Sequence, residues 1–436
     1  MRILYELTYM FRGHSGVPKD TLHQAQILED FFPAEFEMAT NPNSFLSISK
    51  FRLDNWFGNN KNIDRIFRIS PRKRFLPRMI ENAAVVSGTL LNIRPKGLVV
   101  LNEKFQNHLP EVVRQLMDSR IRSIYVIPLN FKSRYVMNIL GIPARIKTFG
   151  FDIFVQQSLL PLRVSKGTTH VIRLHDLLPI THPQFFTSGA AFLYRRSIAL
   201  AVKEKEVVWV WSAKATEQQF KAMYGNHMKT FVAACPIDTN YTGDFVEKVK
   251  EVLILATVEP RKNIDLAVDG FLLAQQNGHI GKDWTLVVAG SYGWKAQKLY
   301  EDLRDGAYGP TVIYKEGPSD VEVISLLERS SVILCTSSHE GFSRPPLEGM
   351  AYGAIPVVTN IPQHRETIGE KGYFIEGEGI DAISKAISAA VRVSETDCKE
   401  LRNELRKHVM TNFSRAVVGQ QWKSVFDNIS LASKRP

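Results

Sequence analysis

Short apolar runs alternate with segments of helical periodicity through the second half of the chain. Residues 252–258 and 332–336 are apolar and rich in β-branched side chains, whereas residues 264–276 repeat apolar positions at the spacing of one helix face. Further strands are predicted at 284–289, 311–314 and 355–359. Strands separated by helices at this interval predict right-handed βαβ units and a parallel, doubly wound sheet.

The first half of the chain repeats this alternation with shorter strands. They are predicted at 2–5, 97–101, 121–127, 152–156, 170–174 and 207–210. With 436 residues, the chain is too long for one ordinary core. We therefore predict an α/β protein of two Rossmann-like domains, residues 1–240 and 250–412, that place a ligand cleft between facing sheet edges.

Charge and cysteine content narrow the choice of partners and compartment. Lys and Arg number 55 against 44 Asp and Glu, and the net charge of +11 favours anionic partners such as nucleotides, phospholipid headgroups or nucleic acid. Cys235, Cys335 and Cys398 have no CxxC spacing, which predicts free thiols in a reducing compartment and no zinc site. We also expect no signal peptide and no membrane span, hence a cytoplasmic protein.

Basic residues are concentrated between positions 50 and 78. This segment carries nine Lys or Arg against Asp54 and Asp64, with aromatic and aliphatic side chains interleaved. One interpretation is peripheral contact with the anionic cytoplasmic face of a membrane. The other is a solvated basic face over ordinary core aromatics, and the sequence leaves both open.

Two glutamates eight positions apart, Glu340 and Glu348, follow the apolar strand at 332–336. Pro345 and Pro346 between them suit the first turn of a helix, so Glu340 leaves the strand at its carboxyl end and Glu348 lies early in the helix. In open α/β sheets this edge forms the ligand crevice. Carboxylates there can hold hydroxyl groups, which favours sugars and riboses as ligands.

Cations and glycines follow other predicted strands. Arg261 and Lys262 stand before a helix N-terminus, which suits a diphosphate, although such a pair can equally be surface charge. Gly290 ends the next strand and allows close backbone approach. A loop from Gly13 to Gly16 precedes an amphipathic helix from about Asp20, and it forms either a phosphate or acceptor contact or a tight turn.

His175 ends a first-domain strand and would face the cleft opposite Glu340, where its imidazole could bond a sugar hydroxyl. Its alternative role is purely structural. Asp176 either fixes the tautomer of His175 or caps the turn.

These motifs, in this order, resemble the retaining glycosyltransferases of family 4, which have the GT-B architecture of two facing Rossmann-like domains. The resemblance is carried by residues 13–19, 159–162, 175–179, 259–263, 290–295 and 340–356, the last being the EX7E region. It implies that residues 1–240 bind the acceptor, that residues 250–412 bind the nucleotide-sugar donor, and that a helix in 413–436 returns to the first domain. Arg344, Asn360 and the missing double glycine at 13–16 depart from the usual family pattern.

The resemblance also implies roles for individual residues. Arg261 and Lys262 would bind the donor diphosphate, Glu348 the ribose, and Glu340 the transferred sugar. Backbone N–H groups of Phe342 and Ser343, together with Gly16 and Gly290, would complete the donor site, and His175 would lie near the anomeric carbon.

The resulting hypothesis is a hexosyltransferase, with GDP-mannose as the preferred donor and a lipid-linked or polysaccharide acceptor in cell-surface glycan synthesis. The chain contains no DxD triplet, and we expect neither a metal nor another cofactor. The alternatives are a UDP-sugar donor in the same fold or a nucleic-acid-binding basic protein, which the absence of a recognisable binding motif disfavours.

Overall fold

A computed structural model describes residues 1–6, 16–32, 36–40, 96–97, 99–100, 124–126, 138, 140–157, 159–204, 206–237, 245–396 and 398–433. The basic segment at 50–78 lies outside these ranges, so membrane contact through it stays a prediction.

The first half of the chain forms an eight-stranded sheet and a small three-stranded one. The strands are β1 (Ile3–Glu6), β2 (Phe36–Thr40), β3 (Lys96–Gly97), β4 (Val99–Val100), β5 (Ile124–Val126), β6 (Ala144–Lys147), β7 (Ile153–Gln156), β8 (Leu162–Arg163), β9 (Thr169–Leu174), β10 (Val208–Trp211) and β11 (Lys229–Val232). The large sheet has the order β11-β10-β9-β7-β1-β2-β5-β4, and β3-β6-β8 form the small one. All pairs are parallel except β4 with β5.

Helices of this half connect and cover the strands. Those within the described residues are α1 (Gly16–Phe31), α2 (Leu178–Thr181), α3 (Ser188–Ala201) and α4 (Lys214–Tyr224), with a 3₁₀ turn at Pro183–Phe185. Helix α1 begins at Gly16, so the sequence-based start near Asp20 was too late. Gly16 therefore belongs to the first turn of the helix.

The second half forms a six-stranded, entirely parallel sheet of order β14-β13-β12-β15-β16-β17. Its strands are β12 (Val249–Leu255), β13 (Thr285–Gly290), β14 (Val312–Glu316), β15 (Ser330–Cys335), β16 (Ile355–Thr359) and β17 (Tyr373–Ile375). The helices are α5 (Ile264–Gln276), α6 (Gln297–Arg304), α7 (Asp320–Arg329), α8 (Arg344–Ala351), α9 (Pro362–Ile368), α10 (Ile380–Ser394), α11 (Lys399–Phe413) and α12 (Arg415–Ser433). The predicted α/β class with two parallel sheets is confirmed.

The strand order of the second sheet reverses between β12 and β15. The chain runs outward from β12 to β14 on one side and then returns to β15 on the other. The carboxyl ends of β12 and β15 therefore lie side by side at the reversal point, which is where ligands bind in sheets of this kind. Arg261 with Lys262 lies after β12, and Glu340 lies after β15.

Helix α12 lies against α1 of the first half. Trp422 Nε1 donates to Gln24 Oε1 at 2.5 Å, and Arg415 Nη1 donates to Gln26 Oε1 at 3.0 Å. Because Trp422 is fully buried, the tail is part of the first-domain core. The predicted domain boundaries stay predictions, since residues 238–244 lie outside the described ranges.

None of the helices that the structure describes combines the length and the apolar character needed to cross a membrane.

Candidate active site

Hydrogen bonds to the backbone carbonyls of Arg261 and Lys262 hold together the two loops at the reversal point. Ser338 N donates to Arg261 O at 2.9 Å, and Thr336 Oγ1 donates to Lys262 O at 2.8 Å. Asn263 has a left-handed backbone, with φ of 47°, which ends the 3₁₀ turn Pro260–Lys262 and lets α5 begin at once. The chain thereby holds both cationic side chains against the loop that carries Glu340.

Glu340 bridges the two cations. Its Oε2 accepts from Arg261 Nη1 at 2.8 Å, and its Oε1 accepts from Lys262 Nζ at 2.5 Å. The Glu340 side chain is only 8% exposed. Burial by itself would raise the pKa of Glu340, but Arg261 and Lys262 outweigh burial and hold that pKa far below its usual range. Glu340 is therefore ionised at physiological pH.

A second carboxylate, Glu259, shares Arg261. Its Oε1 lies 2.8 Å from Arg261 Nη2, and burial raises the pKa of Glu259. Arg261 Nη1 also donates to His339 O at 3.0 Å, so the guanidinium is held from three sides. The Lys262 ammonium has three N–H groups and gives one to Glu340, so donors remain for an incoming phosphate.

Glu348 lies on α8 and has a different cation. Its Oε1 accepts from Arg344 Nε at 3.1 Å, four residues earlier on the same helix. The two glutamates of the EX7E region thus have separate partners, and the structure does not pair them with each other.

His175 follows β9, and its Nε2 lies 3.7 Å from Asp20 Oδ2 on α1. Burial lowers the pKa of His175 to about 4, which Asp20 only partly opposes, so the ring is neutral at physiological pH. Asp176 accepts from Leu178 N at 3.0 Å and caps the turn. The carboxylate beside His175 is therefore Asp20, and of the two roles considered for Asp176 only the turn cap is observed.

Asp20 is held by a buried ion pair that sequence reasoning missed. Arg173 Nη1 donates to Asp20 Oδ2 at 2.5 Å, and the two side chains are 0% and 1% exposed. Although burial would raise the pKa of Asp20, Arg173 lowers it. Arg173 itself could have predicted this ion pair from the sequence, because a charged side chain inside an apolar strand requires a buried partner.

The two halves of the molecule touch at the site. An ideal Cβ built on Gly341 would lie 2.4 Å from the carbonyl oxygen of His175, so only glycine permits this approach. Thr216 Oγ1 donates to Gly341 O at 3.0 Å. Glu366 accepts from the backbone N–H groups of Lys214 and Ala215 at 2.6 and 2.8 Å, and so caps α4 from the other half. These contacts bring the His175 loop next to the Glu340 loop.

The remaining predicted donor residues have structural partners of their own. A Cβ on Gly290 would lie 1.9 Å from Ala256 O, so this glycine lets the ends of β12 and β13 approach. The Phe342 ring is buried and packs on Phe413. Ser343 has φ of 70°, and its Oγ lies 2.9 Å from His364 Nε2. Contacts of these residues and of Gly16 with a donor stay predictions.

Among the described residues, Asp20, His175 and Cys235 offer ligand atoms within 4.8 Å of one another. The cluster fits a metal ion poorly because Arg173 already pairs with Asp20 and burial raises the pKa of the Cys235 thiol to about 12. A protonated thiol beside a guanidinium is a weak ligand for a cation.

Residues 242–408 match the family model described as "Glycosyl transferases group 1". The serotype-specific mannosyltransferase WbdA of Escherichia coli is 27% identical over 237 residues, which is 49% of this chain and 29% of WbdA. The GDP-mannose:cellobiosyl-diphosphopolyprenol alpha-mannosyltransferase of Xanthomonas campestris is 25% identical over 140 residues, 31% of this chain and 37% of that protein. The chain therefore spans well under half the length of these curated relatives.

A solved structure, HepE of Anabaena in complex with UDP-glucose, superposes with a TM-score of 0.55 at 14% identity and covers 98% of this chain and 100% of its own. The likeness confirms the GT-B fold predicted from the sequence. Together with the family model and the mannosyltransferase relatives, it confirms the resemblance to the family 4 glycosyltransferases.

Proposed function

We propose that this chain, whose residues 242–408 match the group 1 glycosyltransferase model, is a retaining hexosyltransferase that takes a sugar from a nucleoside diphosphate. One observation carries the proposal. Arg261 and Lys262 converge on Glu340 at the point where the strand order of the second sheet reverses, 2.8 and 2.5 Å from its two oxygens. A buried carboxylate with two adjoining cations is complementary to a sugar diphosphate, in which a positive ring centre develops next to a leaving phosphate.

The charged side chains match the charges that develop on the donor as its glycosidic bond breaks. As the bond between the anomeric carbon and the phosphate oxygen breaks, Arg261 and Lys262 stabilise the negative charge that gathers on the diphosphate. Glu340 stays ionised and faces the oxocarbenium character of the sugar. Because its pKa is held so low, Glu340 is a poor proton acceptor, and the leaving phosphate is the better base for the acceptor hydroxyl.

Neutral His175 contributes from the other side of the cleft. Its pKa of about 4 makes it a hydrogen-bond partner for a sugar hydroxyl rather than a cation that would repel the developing positive charge. With two fixed cations at the diphosphate, the chemistry requires no metal, and we propose metal-independent turnover.

The preferred donor is GDP-mannose, because the relatives include enzymes named as mannosyltransferases and one named for GDP-mannose. The complex of HepE with UDP-glucose favours a UDP-sugar as the second candidate. The proposed acceptor is a glycan or a lipid-linked saccharide, which agrees with the diphosphopolyprenol acceptor in the name of the Xanthomonas relative.

The decisive experiment is a thermal-shift panel of UDP-, GDP-, ADP- and dTDP-sugars, since a cognate donor raises the melting temperature by mass action. The Arg261→Ala variant should lose both that shift and turnover while remaining folded. Arg261→Lys keeps the charge but cannot span Glu259, Glu340 and the His339 carbonyl together, so we expect partial recovery. Full turnover in Arg261→Ala would refute the diphosphate assignment.

Membrane contact is tested separately. Sedimentation with anionic liposomes should weaken when Arg72, Lys73 and Arg74 are neutralised together and when salt is added. Binding that is insensitive to both changes would leave the basic segment as a solvated face. Retention on duplex DNA at physiological salt without any donor shift would instead favour the nucleic-acid alternative.

A further inference from the structure

The family resemblance predicts a small or apolar residue at position 344, but this chain has an arginine there. It is the first residue of α8, and its side chain is only 11% exposed. A guanidinium is rarely buried this far without a specific function or a set of partners.

The partners of Arg344 come from both halves of the site. Its Nε donates to Glu348 Oε1 at 3.1 Å, and its Nη1 donates to Pro236 O at 3.0 Å. Pro236 follows β11 of the first sheet, so Arg344 is fixed at a point outside its own helix. A side chain tethered in this way cannot rotate freely, and neither can the carboxylate that it holds.

The geometry leaves half of the Glu348 carboxylate for a ligand. Arg344 takes Oε1, and Glu348 itself is 20% exposed, which is enough for contact with a small polar group. A ribose presents two adjacent hydroxyls, and a carboxylate can accept from both only if its plane is set correctly. In solution the free side chain would sample several rotamers and lose that preference.

We propose that Arg344 is a positioning residue that orients Glu348 toward the ribose hydroxyls of the donor. This inference rests on the proposed function, in which Glu348 binds the ribose. It assigns Arg344 no contact with the reacting atoms. Arg344 acts on donor recognition through Glu348, and its effect should therefore vanish when the ribose hydroxyls are absent.

The test compares GDP and UDP with their 2′,3′-dideoxy counterparts by calorimetry on the full chain. In the wild type the ribose form should bind roughly tenfold or more tightly than the dideoxy form, as expected for hydrogen bonds to a carboxylate. Arg344→Met should reduce that affinity ratio to a value between about 1 and about 3, while the affinity for the dideoxy form stays nearly the same. Glu348→Gln should reduce the ratio similarly.

Two variants control for structural damage. Arg344→Lys retains the charge next to Glu348 but cannot also reach Pro236 O, so we expect an intermediate ratio of ribose to dideoxy affinity. If Arg344→Met does not fold, Arg344→Lys replaces it in the test. Arg304→Met removes an exposed arginine that pairs with Asp305, and it should leave every ratio unchanged.

The outcomes separate this inference from the proposed function. If the wild type discriminates and both Arg344 variants discriminate equally well, Arg344 has no positioning role although the donor site stands. If the wild type binds nucleotides without preferring ribose, the assignment of Glu348 and that of Arg344 both fail. If no nucleoside diphosphate binds at all, both the proposed function and this inference are refuted.

Discussion

The contact between Gly341 and the His175 carbonyl makes the spacing of the two halves testable with one methyl group. In Gly341→Ala the new Cβ would lie 2.4 Å from His175 O and 2.8 Å from Asp176 Cβ, whereas ordinary van der Waals contact begins at 3.4 Å. The clash is with backbone, which cannot rotate away as a flexible side chain can. One of the two loops must therefore retreat by about 1 Å.

The size of the effect follows from that displacement. A retreat of about 1 Å between groups that must act together lowers turnover on the order of 100-fold, and overpacking costs about 1–3 kcal/mol of stability. Because the proposed contacts of Arg261 and Lys262 with the diphosphate and of Glu348 with the ribose lie on the second domain, nucleotide affinity should change less than threefold, a difference of about 0.6 kcal/mol. We therefore expect a lowered kcat with a nearly unchanged Kd for the nucleoside diphosphate.

Steady-state kinetics, calorimetric nucleotide binding and urea unfolding measure the three quantities. Gly270→Ala is the matched control, since its Cβ would lie 2.6 Å from the Ile383 side chain within the second domain and would not touch the first. Gly189→Ala, with no heavy atom within 4 Å, is the neutral control. A kcat for Gly341→Ala within threefold of wild type, or an equal loss in Gly270→Ala, would refute the argument from domain spacing.

Three further predictions concern buried and interfacial titratable groups, and a fourth concerns metal dependence. Arg173→Met should cost about 3–5 kcal/mol of stability by urea unfolding, because it leaves Asp20 buried without a cation, and adding Asp20→Asn should recover part of that loss. Glu366→Ala should lower the free energy of unfolding by about 1–2 kcal/mol through loss of the cap on α4, with Glu366→Gln losing less. Burial lowers the pKa of His170 to about 3 from the ordinary 6.5. As the pH drops below about 6.5, the unfolded chain therefore binds a proton that the folded chain does not, and the free energy of unfolding falls. In His170→Gln, urea unfolding between pH 5 and 7 should show a weaker dependence of that free energy on pH. Turnover should survive EDTA, and a loss that Mg²⁺ or Mn²⁺ restores would contradict metal independence.

The charged cluster of the proposed donor site could be predicted from the sequence because its geometry is local to one sheet. In a parallel sheet all strands end at the same edge, so charges placed just after two strands are brought together whatever the details of packing. Glu340 is 79 residues from Arg261 and 78 from Lys262, and it still meets both for this reason. The structure also contains a capping box at Ser319 and Glu322, which depends only on positions within one helical turn.

The buried ion pair beside His175 and the docking of α12 on α1 could not be read in this way. Asp20 and Arg173 are 153 residues apart, and Trp422 and Gln24 are 398 apart. No periodicity relates such positions, since their contact depends on how α1 and α12 pack on the first sheet. The sequence shows that Arg344 departs from the family pattern, but it does not show the bond from Arg344 to Pro236. That bond exists only because the end of the first domain lies against α8.

The class of the fold, the family resemblance and the chemistry of the candidate donor residues could be predicted from the sequence, because strand and helix periods and residue types are local properties. The pairing of Asp20 with Arg173, and the reason why Gly341 must be glycine, became apparent only in the folded structure. Charge pairing inside a folded protein depends on distances of a few ångströms between segments far apart in the chain, and burial then sets which groups remain ionised. Those distances are fixed by packing, which no single segment encodes.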